Sequence, residues 1–521
     1  MGPARPFDMF VFMDGNPAHL AALRERGLVP WFTPDYLRIA FFRPVSSLLH
    51  TIDYAVLRLP PWAMHAESIA WYALLVFCAA KLYARVLRAP GAAGLAALFY
   101  AVDPGHGLPA AWLANRNGVL ASVFAVMTLL AHDRWRRDGW RLGAAVSATC
   151  FALALGSAEL ALGALAYVAA YALTLDRGSL RARATSLAPC GLVAVAWQIV
   201  YRAGNYGVIG SGFYCDPATS PLRFARGMLV RAAELALSQL LLFPVEVAAR
   251  ATITTVVAAA GAVALAIFVW AAMPLVRREA GVRFFAIGAA LAVVPVVGVM
   301  PASRVLMLVG LGAMGVLAAL LADVGSGVER RPLARGFLRL AGGLHVVLAP
   351  LVLLAFTMAP RAIMYVLDRS GPDLPTVPEL RDETVVIVRT PSSLGATYRF
   401  GVPLDEPPTL AHALRFMAVG MGECTVRRVD TWTIDVRVPS GLLNDPLVAL
   451  YRDAPMRKGE RVVLSDMELE VIEEDESAPV AVRVRFTEPL EAPGRTWVAW
   501  DHGRFVRFAI PAVGETVTLQ N

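Results

Sequence analysis

Charge is scarce in this chain: 17% of its 521 residues are Asp, Glu, Lys or Arg, against about a quarter in ordinary soluble domains. Cysteine is scarcer. Cys78, Cys150 and Cys190 lie inside apolar runs, and no CxxC or metal-ligand spacing occurs among the five, which excludes thiol redox chemistry and a thiolate metal centre. Cys215 and Cys424 fall in gaps read below as extracytoplasmic, so a disulfide between them stays open, although lone cysteines are ordinarily unpaired. There is no P-loop, no GxGxxG after a strand, no HExxH, and no GxSxG with plausible partners. No basic patch interleaves with aromatics, so the net charge of +7 reflects topology and anionic-lipid contact and gives no nucleic-acid partner. Residues Met1 to Pro30 hold no apolar h-region and hence no signal peptide.

What the chain has in excess is apolar length. Hydrophobic residues make up 57%, mean hydropathy is +0.56, and the apolar runs end near residue 367. They mark helices at Ser68–Leu87, Gly91–Val102, Leu108–Leu130, Leu142–Leu155, Leu160–Leu175, Ala184–Tyr201, Ala251–Val276, Phe284–Met300, Val305–Ala322 and Ala341–Val366. Arginine clusters fill every second gap: Lys81, Arg85 and Arg88; Arg134, Arg136, Arg137 and Arg141; Arg177, Arg181 and Arg183; Arg277, Arg278 and Arg283; Arg330, Arg331, Arg335 and Arg339. That beat defines a cytoplasmic face. The alternate gaps carry DPGHG at Asp103–Gly107, NRN at Asn115–Asn117, SAE at Ser157–Glu159 and PASR at Pro301–Arg304. Polar groups at a membrane boundary need a partner or a wet cavity, so their collection on one side marks a site.

The fold class expected is a polytopic α-helical membrane protein of about ten spans, with a C-terminal extracytoplasmic β-sandwich-like domain. Several runs are shorter than the roughly 20 residues an upright span needs, and short partners with Gly or Pro turns would frame a cavity. Leu222–Val247, rich in Arg, reads as a helix pair at the outer interface, and Arg38–Leu59 as an interfacial amphipathic helix. This count leaves the N-terminus outside: either a first helix is lost through a misplaced start codon, the preferred reading, or the segment is carried across by the helix at Ser68. The expected organisation is residues 1–64 as an outside loop and interfacial helices, 65–366 as the membrane module, 367–383 as a linker and 384–521 as the β-domain. Strands are expected at Thr384–Arg389, Cys424–Val429, Thr431–Val438, Arg461–Leu464, Leu469–Glu473, Val480–Phe486, Thr496–Trp500 and Arg504–Ala509, forming a small antiparallel sandwich.

The stretch FFRPVSSLLHTIDYAVLRLPPWAMHAES resembles that following the first outside loop in bacterial relatives of the protein O-mannosyltransferases, of the C-type glycosyltransferase superfamily. ALFYAVDPGHGLPAAWLANRNGVLASVFAV resembles the family's paired short helices with an HP-x-H-like turn and a following Arg. ALALGSAELALGALAYVAAYAL resembles its S-K-E segment, and VMPASRVLMLVGLGAMGVLAALLA its outside Arg and Gly-broken helix. These matches, in the family's order, cover about residues 8 to 322. The resemblance implies inverting hexosyl transfer from a polyprenyl-phosphate sugar lipid to an unidentified acceptor, at the outer face of a bacterial cytoplasmic (inner) membrane. That chemistry needs a carboxylate base, cations for the departing phosphate and an apolar groove for the lipid. Membrane lipids are the other expected partners. No residue is assigned to a metal, and assistance by a divalent metal stays open.

The family keeps its base in the first outside loop, here FDMFVFMDGNP, so Asp14 and Asp8 are the candidates, Asp14 preferred because a Gly-Asn-Pro turn follows it. The family's adjacent acids are split here. Each candidate has a plainer role beside it. Asp14 suits a turn, and Glu159, the further catalytic candidate, suits a cap on the next helix or an ion pair. Arg116 and Arg304 suit a bidentate phosphate contact or snorkelling to headgroups, with Asn115 and Asn117 flanking the former. His106 suits phosphate or a surface turn. Arg43 and Asp53 suit fixing the interfacial helix. GSGF at Gly210–Phe213 resembles a flexible lid, and Trp497, Trp500 and Phe505 suit either a sugar platform or a sheet core. Two other classes remain: a non-catalytic lipid-carrier-binding or envelope scaffold protein, which the split acids favour, and a transporter, which charges confined to span ends disfavour.

Overall fold

Apolar runs of this length become helices because a helix satisfies its own backbone without water. The computed structural model describes residues 13–246, 251–326, 331–367, 374, 380, 382–401, 411–475 and 478–520. Among them, six helices are long and apolar enough to cross a membrane: Pro61–Val86, Leu113–Asp138, Leu180–Ala203, Ile253–Arg278, Met307–Gly325 and Pro332–Ala362. A 26-residue helix rises about 39 Å, more than the roughly 30 Å of hydrocarbon. Four shorter apolar helices accompany them, Pro90–Ala101, Gly143–Leu155, Glu159–Thr174 and Ala280–Val296. The chain divides into a helical unit, Phe41–Tyr206 with Cys215–Pro360, and a second unit of Met1–Ala40, Gly207–Tyr214 and Arg361–Asn521.

In the helical unit we number α1 (Pro44–Thr51), α2 (Pro61–Val86), α3 (Pro90–Ala101), α4 (Arg116–Asp138), α5 (Leu162–Thr174), α6 (Pro221–Leu241), α7 (Ala251–Arg278), α8 (Ala280–Val296) and α9 (Met307–Gly325). The core is built around α9, whose first fourteen residues are buried without a break. Tyr100 of α3, Tyr167 of α5 and Tyr83 of α2 donate their hydroxyls to the carbonyls of Met307, Leu308 and Leu311, at 3.1, 2.7 and 2.5 Å. Three helices are thus pinned to one, each hydroxyl using the second lone pair of a helical carbonyl. Glycine permits the approach: a Cβ at Gly312 would stand 2.5 Å from the Tyr167 hydroxyl, and one at Gly315 2.9 Å from the Phe285 ring. Small residues at helix interfaces do this generally in apolar surroundings.

Alternation of helix direction sorts the gaps to two ends. At one end Arg85 pairs with Asp133 and Asp138, Arg137 with Asp133, Arg136 with Asp176 and Arg278 with Asp323. Tyr171 adds a 3.0 Å bond to the wholly buried Asp133. At the other, Gly105 abuts Ser303, Glu159 meets Arg43, and Gln239 meets Asp103. The arginine clusters share the first end; DPGHG, NRN, SAE and PASR share the second.

Element boundaries differ from the sequence expectation in instructive places. Arg38–Leu59 is not one helix: Arg38–Ala40 is a strand, α1 starts at Pro44, and a π turn occupies Ile52–Val56. Proline is tolerated at the first helical position and not further in. Leu222–Val247 is not a helix pair, since α6 runs unbroken to Leu241 and stops where Leu242 adopts φ 60°. The expected Ala184–Tyr201 run begins earlier, at Leu180, under the Ser179 cap.

The second unit holds β1 (Met13–Asp14), β2 (Arg38–Ala40), β3 (Gly207–Ile209), β4 (Thr384–Thr390), β5 (Ala413–Gly420), β6 (Cys424–Arg428), β7 (Thr433–Arg437), β8 (Leu443–Asn444), β9 (Arg461–Val463), β10 (Met467–Asp475), β11 (Ala478–Phe486), β12 (Arg495–Asp501), β13 (Arg504–Arg507) and β14 (Thr516–Leu519). β1, β2 and β3 make a small sheet, and β14-β6-β7-β11-β10-β9 a larger one, antiparallel throughout. The third, β13-β12-β4-β5-β8, corrects the antiparallel expectation: β12, β4, β5 and β8 run parallel. β4 and β5 are buried along nearly their whole length, the continuous apolar signature of parallel strands. Phe486 and Trp497, 5.4 Å apart, bring the two large sheets together. Trp497, Trp500 and Phe505 are all buried and serve as sheet core. GSGF is anchored, the Gly212 and Phe213 amides donating to Ala449 at 2.7 and 3.0 Å. All five cysteines are free and buried. Most of the expected linker 367–383 lies outside the described residues.

The Gly312→Ala variant, which forces Tyr167 off α9, is expected to lose about 1–3 kcal/mol and to melt several degrees lower in detergent. Gly191→Ala, at a helical glycine with open space around it, is expected to melt no lower than the parent.

Candidate functional site

The polar end of the helical unit is assembled from the loops that join α3 to α4, α8 to α9 and α6 to α7, with α1 and the SAE turn beside them. Its most buried charge is Arg116, 0% exposed at the start of α4. The guanidinium pairs with Asp53, donates to Glu67 at 2.8 Å, and meets His50 Nδ1 at 3.2 Å. Glu67 also accepts from Trp71 Nε1 at 2.9 Å, an i, i+4 contact on α2. Two carboxylates and an imidazole thus surround one cation in the interior, where an unpaired charge would be costly. His50 must accept from the guanidinium through a neutral ring nitrogen, and burial together with Arg116 pushes its pKa down to about 4. Asn117 is buried beside this knot, and Asn115 Nδ2 is buried with no partner among the described residues.

Glu159 opens the turn before α5 and takes both Nε and Nη2 of Arg43 on Oε2, at 2.9 and 2.7 Å. The backbone seals the same junction, Val45 donating to Gly156 at 2.9 Å and Ser46 to Ser157 at 3.0 Å. SAE is therefore a docking turn for the start of α1. Arg43 holds it there.

His106 is no surface residue. It is buried, flanked by Tyr72 and Tyr100 with ring centroids at 5.6 and 4.5 Å. Tyr72 donates to Ala101 at 2.6 Å and leaves its oxygen 3.2 Å from His106 Nδ1. Burial holds the imidazole below its ordinary pKa. Beside it Asp103 accepts from the Gly105 amide at 2.9 Å and from Gln239 Nε2 at 2.7 Å. Across a small pocket, Ser303 donates its amide to Glu246 at 2.6 Å, and its hydroxyl lies 3.1 Å from both Glu246 and Ser238.

Arg304 follows immediately. Its guanidinium lies 6.0 Å over the Trp112 ring, half-buried, and it has no acidic partner among the described residues. With no ion pair among the described residues, it is available to an incoming anion. Asp14 belongs to the other unit. It ends β1 with 53% of its side chain exposed, accepts the Asn16 amide at 2.8 Å and stands 3.8 Å from His19 Nδ1, the turn geometry that Asp-Gly-Asn-Pro favours. Asp8 lies outside the described residues.

Among the residues singled out from sequence, the structure gathers Arg43, His106, Asn115, Arg116, Asn117, Glu159 and Arg304 at one end of one unit. It also supplies partners that sequence reasoning passed over: Glu67, Gln239, Ser238, Glu246 and the acceptor role of Asp103. Glu67 had a signal, an acid four residues before Trp71 on an apolar helix. Gln239 and Ser238 are two ordinary polar residues whose partners are distant in sequence. No protein-family model matches the chain, and no curated protein matches it.

Two outcomes test the Arg116 knot. Asp53→Ala, which leaves the buried guanidinium short of a counter-charge, is expected to cost about 3–5 kcal/mol, and Asp53→Leu combined with Arg116→Met to recover most of it in detergent melting. Because His50 titrates lower in the fold than in the unfolded chain, the unfolded state binds the extra proton between pH 6.5 and about 4. Stability therefore falls on acidification through that window, by roughly 3 kcal/mol in all, and His50→Leu is expected to flatten that fall.

Proposed function

We propose that this protein is a membrane glycosyltransferase that takes a sugar from a polyprenyl-phosphate donor at the outer face of a bacterial cytoplasmic membrane. In this reading the six long helices and the four shorter apolar ones make about ten spans. The arginine end faces the cytoplasm, and the β-rich unit lies outside. The observation that carries the reading is Arg304: a half-buried guanidinium without an acidic partner among the described residues, at the polar end of an apolar bundle. A departing polyprenyl phosphate needs such a cation, and the surrounding helices offer an apolar lining for its tail. Arg116 and Arg43, engaged by Asp53, Glu67 and Glu159, serve to hold the loops that present it. The resemblance of the DPGHG, NRN, SAE and PASR segments to the protein O-mannosyltransferase relatives supplies the reaction class, and it places the base in the loop that holds Asp8 and Asp14, of which Asp14, before its Gly-Asn-Pro turn, is preferred.

The non-catalytic reading, a lipid-carrier-binding scaffold, draws its support from the split acids around Asp14 and from the engagement of Arg116. Purified protein in proteoliposomes, supplied with a polyprenyl-phosphate hexose and assayed for release of polyprenyl phosphate, separates the two. Arg304→Ala is expected to slow release by about 10²-fold or more, with partial recovery in Arg304→Lys, and Asp14→Asn by a similar factor. Release unchanged by Arg304→Ala would overturn the assignment of that residue. Wild-type protein that binds polyprenyl phosphate and releases none from the donor would make it a scaffold.

A further inference from the structure

The pocket between DPGHG and PASR carries charge that the transfer reaction does not use. Asp103 is 4% exposed, and no Lys, Arg or His pairs with it among the described residues. Glu246, whose two oxygens take the Ser303 amide and hydroxyl, likewise has no cationic partner among them. The two carboxylates are joined only through Ser303, Ser238 and Gln239. Arg304, next along the chain, turns its guanidinium to Trp112 instead. Asp103 is a buried anion in an apolar unit with no cationic partner among the described residues, which is costly unless something positive joins it; Glu246 is exposed.

Gln239 points to what that is. Its side chain is 4% exposed, its Nε2 is spent on Asp103, and its buried carbonyl oxygen has no hydrogen-bond donor among the described residues. Flipping the amide would set that oxygen against the Asp103 carboxylate, so the orientation is fixed by charge. The residues lining the pocket include Asp103, Ser238, Gln239 and Ser303, all of which offer oxygen and none nitrogen or sulfur. Space is confined: a Cβ at Gly310 would stand 3.0 Å from Asp103 Oδ2 and 3.1 Å from Gln239 Oε1. A compact ion fits where an organic ligand does not.

We propose that this pocket binds one hard divalent cation of the Mg²⁺, Mn²⁺ or Ca²⁺ class, through Asp103, the Gln239 carbonyl and the Ser238 and Ser303 hydroxyls, with Glu246 holding Ser303 in place. Hard cations take oxygen ligands of this kind, and Asp103 supplies the buried negative charge. The site ties α6 to the loops before α4 and α9, so an ion there stabilises the polar end whatever that end transfers. The proposal is independent of the glycosyltransferase reading.

The test uses the full chain in detergent, stripped with EDTA and titrated with Mn²⁺ by electron paramagnetic resonance, with Ca²⁺ and Mg²⁺ as competitors and melting as the second readout. The expected result is one saturable Mn²⁺ site per chain, displaced by Ca²⁺ or Mg²⁺, with a rise in melting temperature on binding. Asp103→Asn and Gln239→Leu should each weaken binding by at least about tenfold. Ser238→Ala, a change too small to unfold the bundle, should weaken it measurably. Absence of a saturable site in the wild-type chain would overturn the proposal, as would undiminished affinity in folded Gln239→Leu and Ser238→Ala proteins.

Discussion

On the proposed reading, in which the apolar helical unit spans a bilayer, it meets water only at its two ends, and that constraint sorts every charge it carries. Coulomb attraction is strong in its interior and solvation absent, so a charge there must bring its own partner. Arg116 does so with Asp53 and Glu67; Asp133 does so with Arg85, Arg137 and the Tyr171 hydroxyl. The two ends differ in how the requirement is met. At the arginine end the acids are few and cations remain in excess, as anionic headgroups permit. At the opposite end Arg116 and Arg43 are paired, while Arg304 and Asp103 have no ion-pair partner among the described residues.

The packing that holds this arrangement is of a different kind. Tyrosine hydroxyls from α2, α3 and α5 converge on the first turns of α9, and the glycines of that helix let the rings come close. In apolar surroundings there is little hydrophobic drive between helices, so close contact and hydrogen bonds must supply the specificity. The first turn of α9 is also where the PASR loop ends. The rigidity of the bundle is thereby transmitted to the residues around Ser303 and Arg304, which a site on a loop needs if it is to hold geometry.

Much of this was legible in the sequence because the arginine beat and the helix alternation are the same periodicity seen twice. A cluster in every second gap requires antiparallel neighbours, and the fold places those clusters together. The Gly-broken helix was legible too, as a segment unusual in composition. What could not be read was pairing across distance. Glu67 and Arg116 are 49 residues apart, Gln239 and Asp103 are 136 apart, and no local pattern announces either. The same limit hid β5, whose RFMAVG run lacks the period-two alternation of a half-exposed strand because both its faces are covered. Parallel pairing of β4 with β5 through the intervening Ser393–Gly401 turn was missed for that reason. Sequence leaves Arg116 between a phosphate contact and snorkelling to headgroups, and its burial is invisible without Asp53 and Glu67 beside it.

The account rests on the two ends of the helical unit facing opposite sides of a bilayer, and impermeant maleimide labelling of single-cysteine variants in intact cells tests that most directly. Ala114→Cys and Arg202→Cys probe exposed positions at the polar end, Arg141→Cys and Arg181→Cys exposed positions at the arginine end. The account predicts that the first pair labels from outside and the second only after the membrane is permeabilised. Labelling of both pairs from the same side would contradict it.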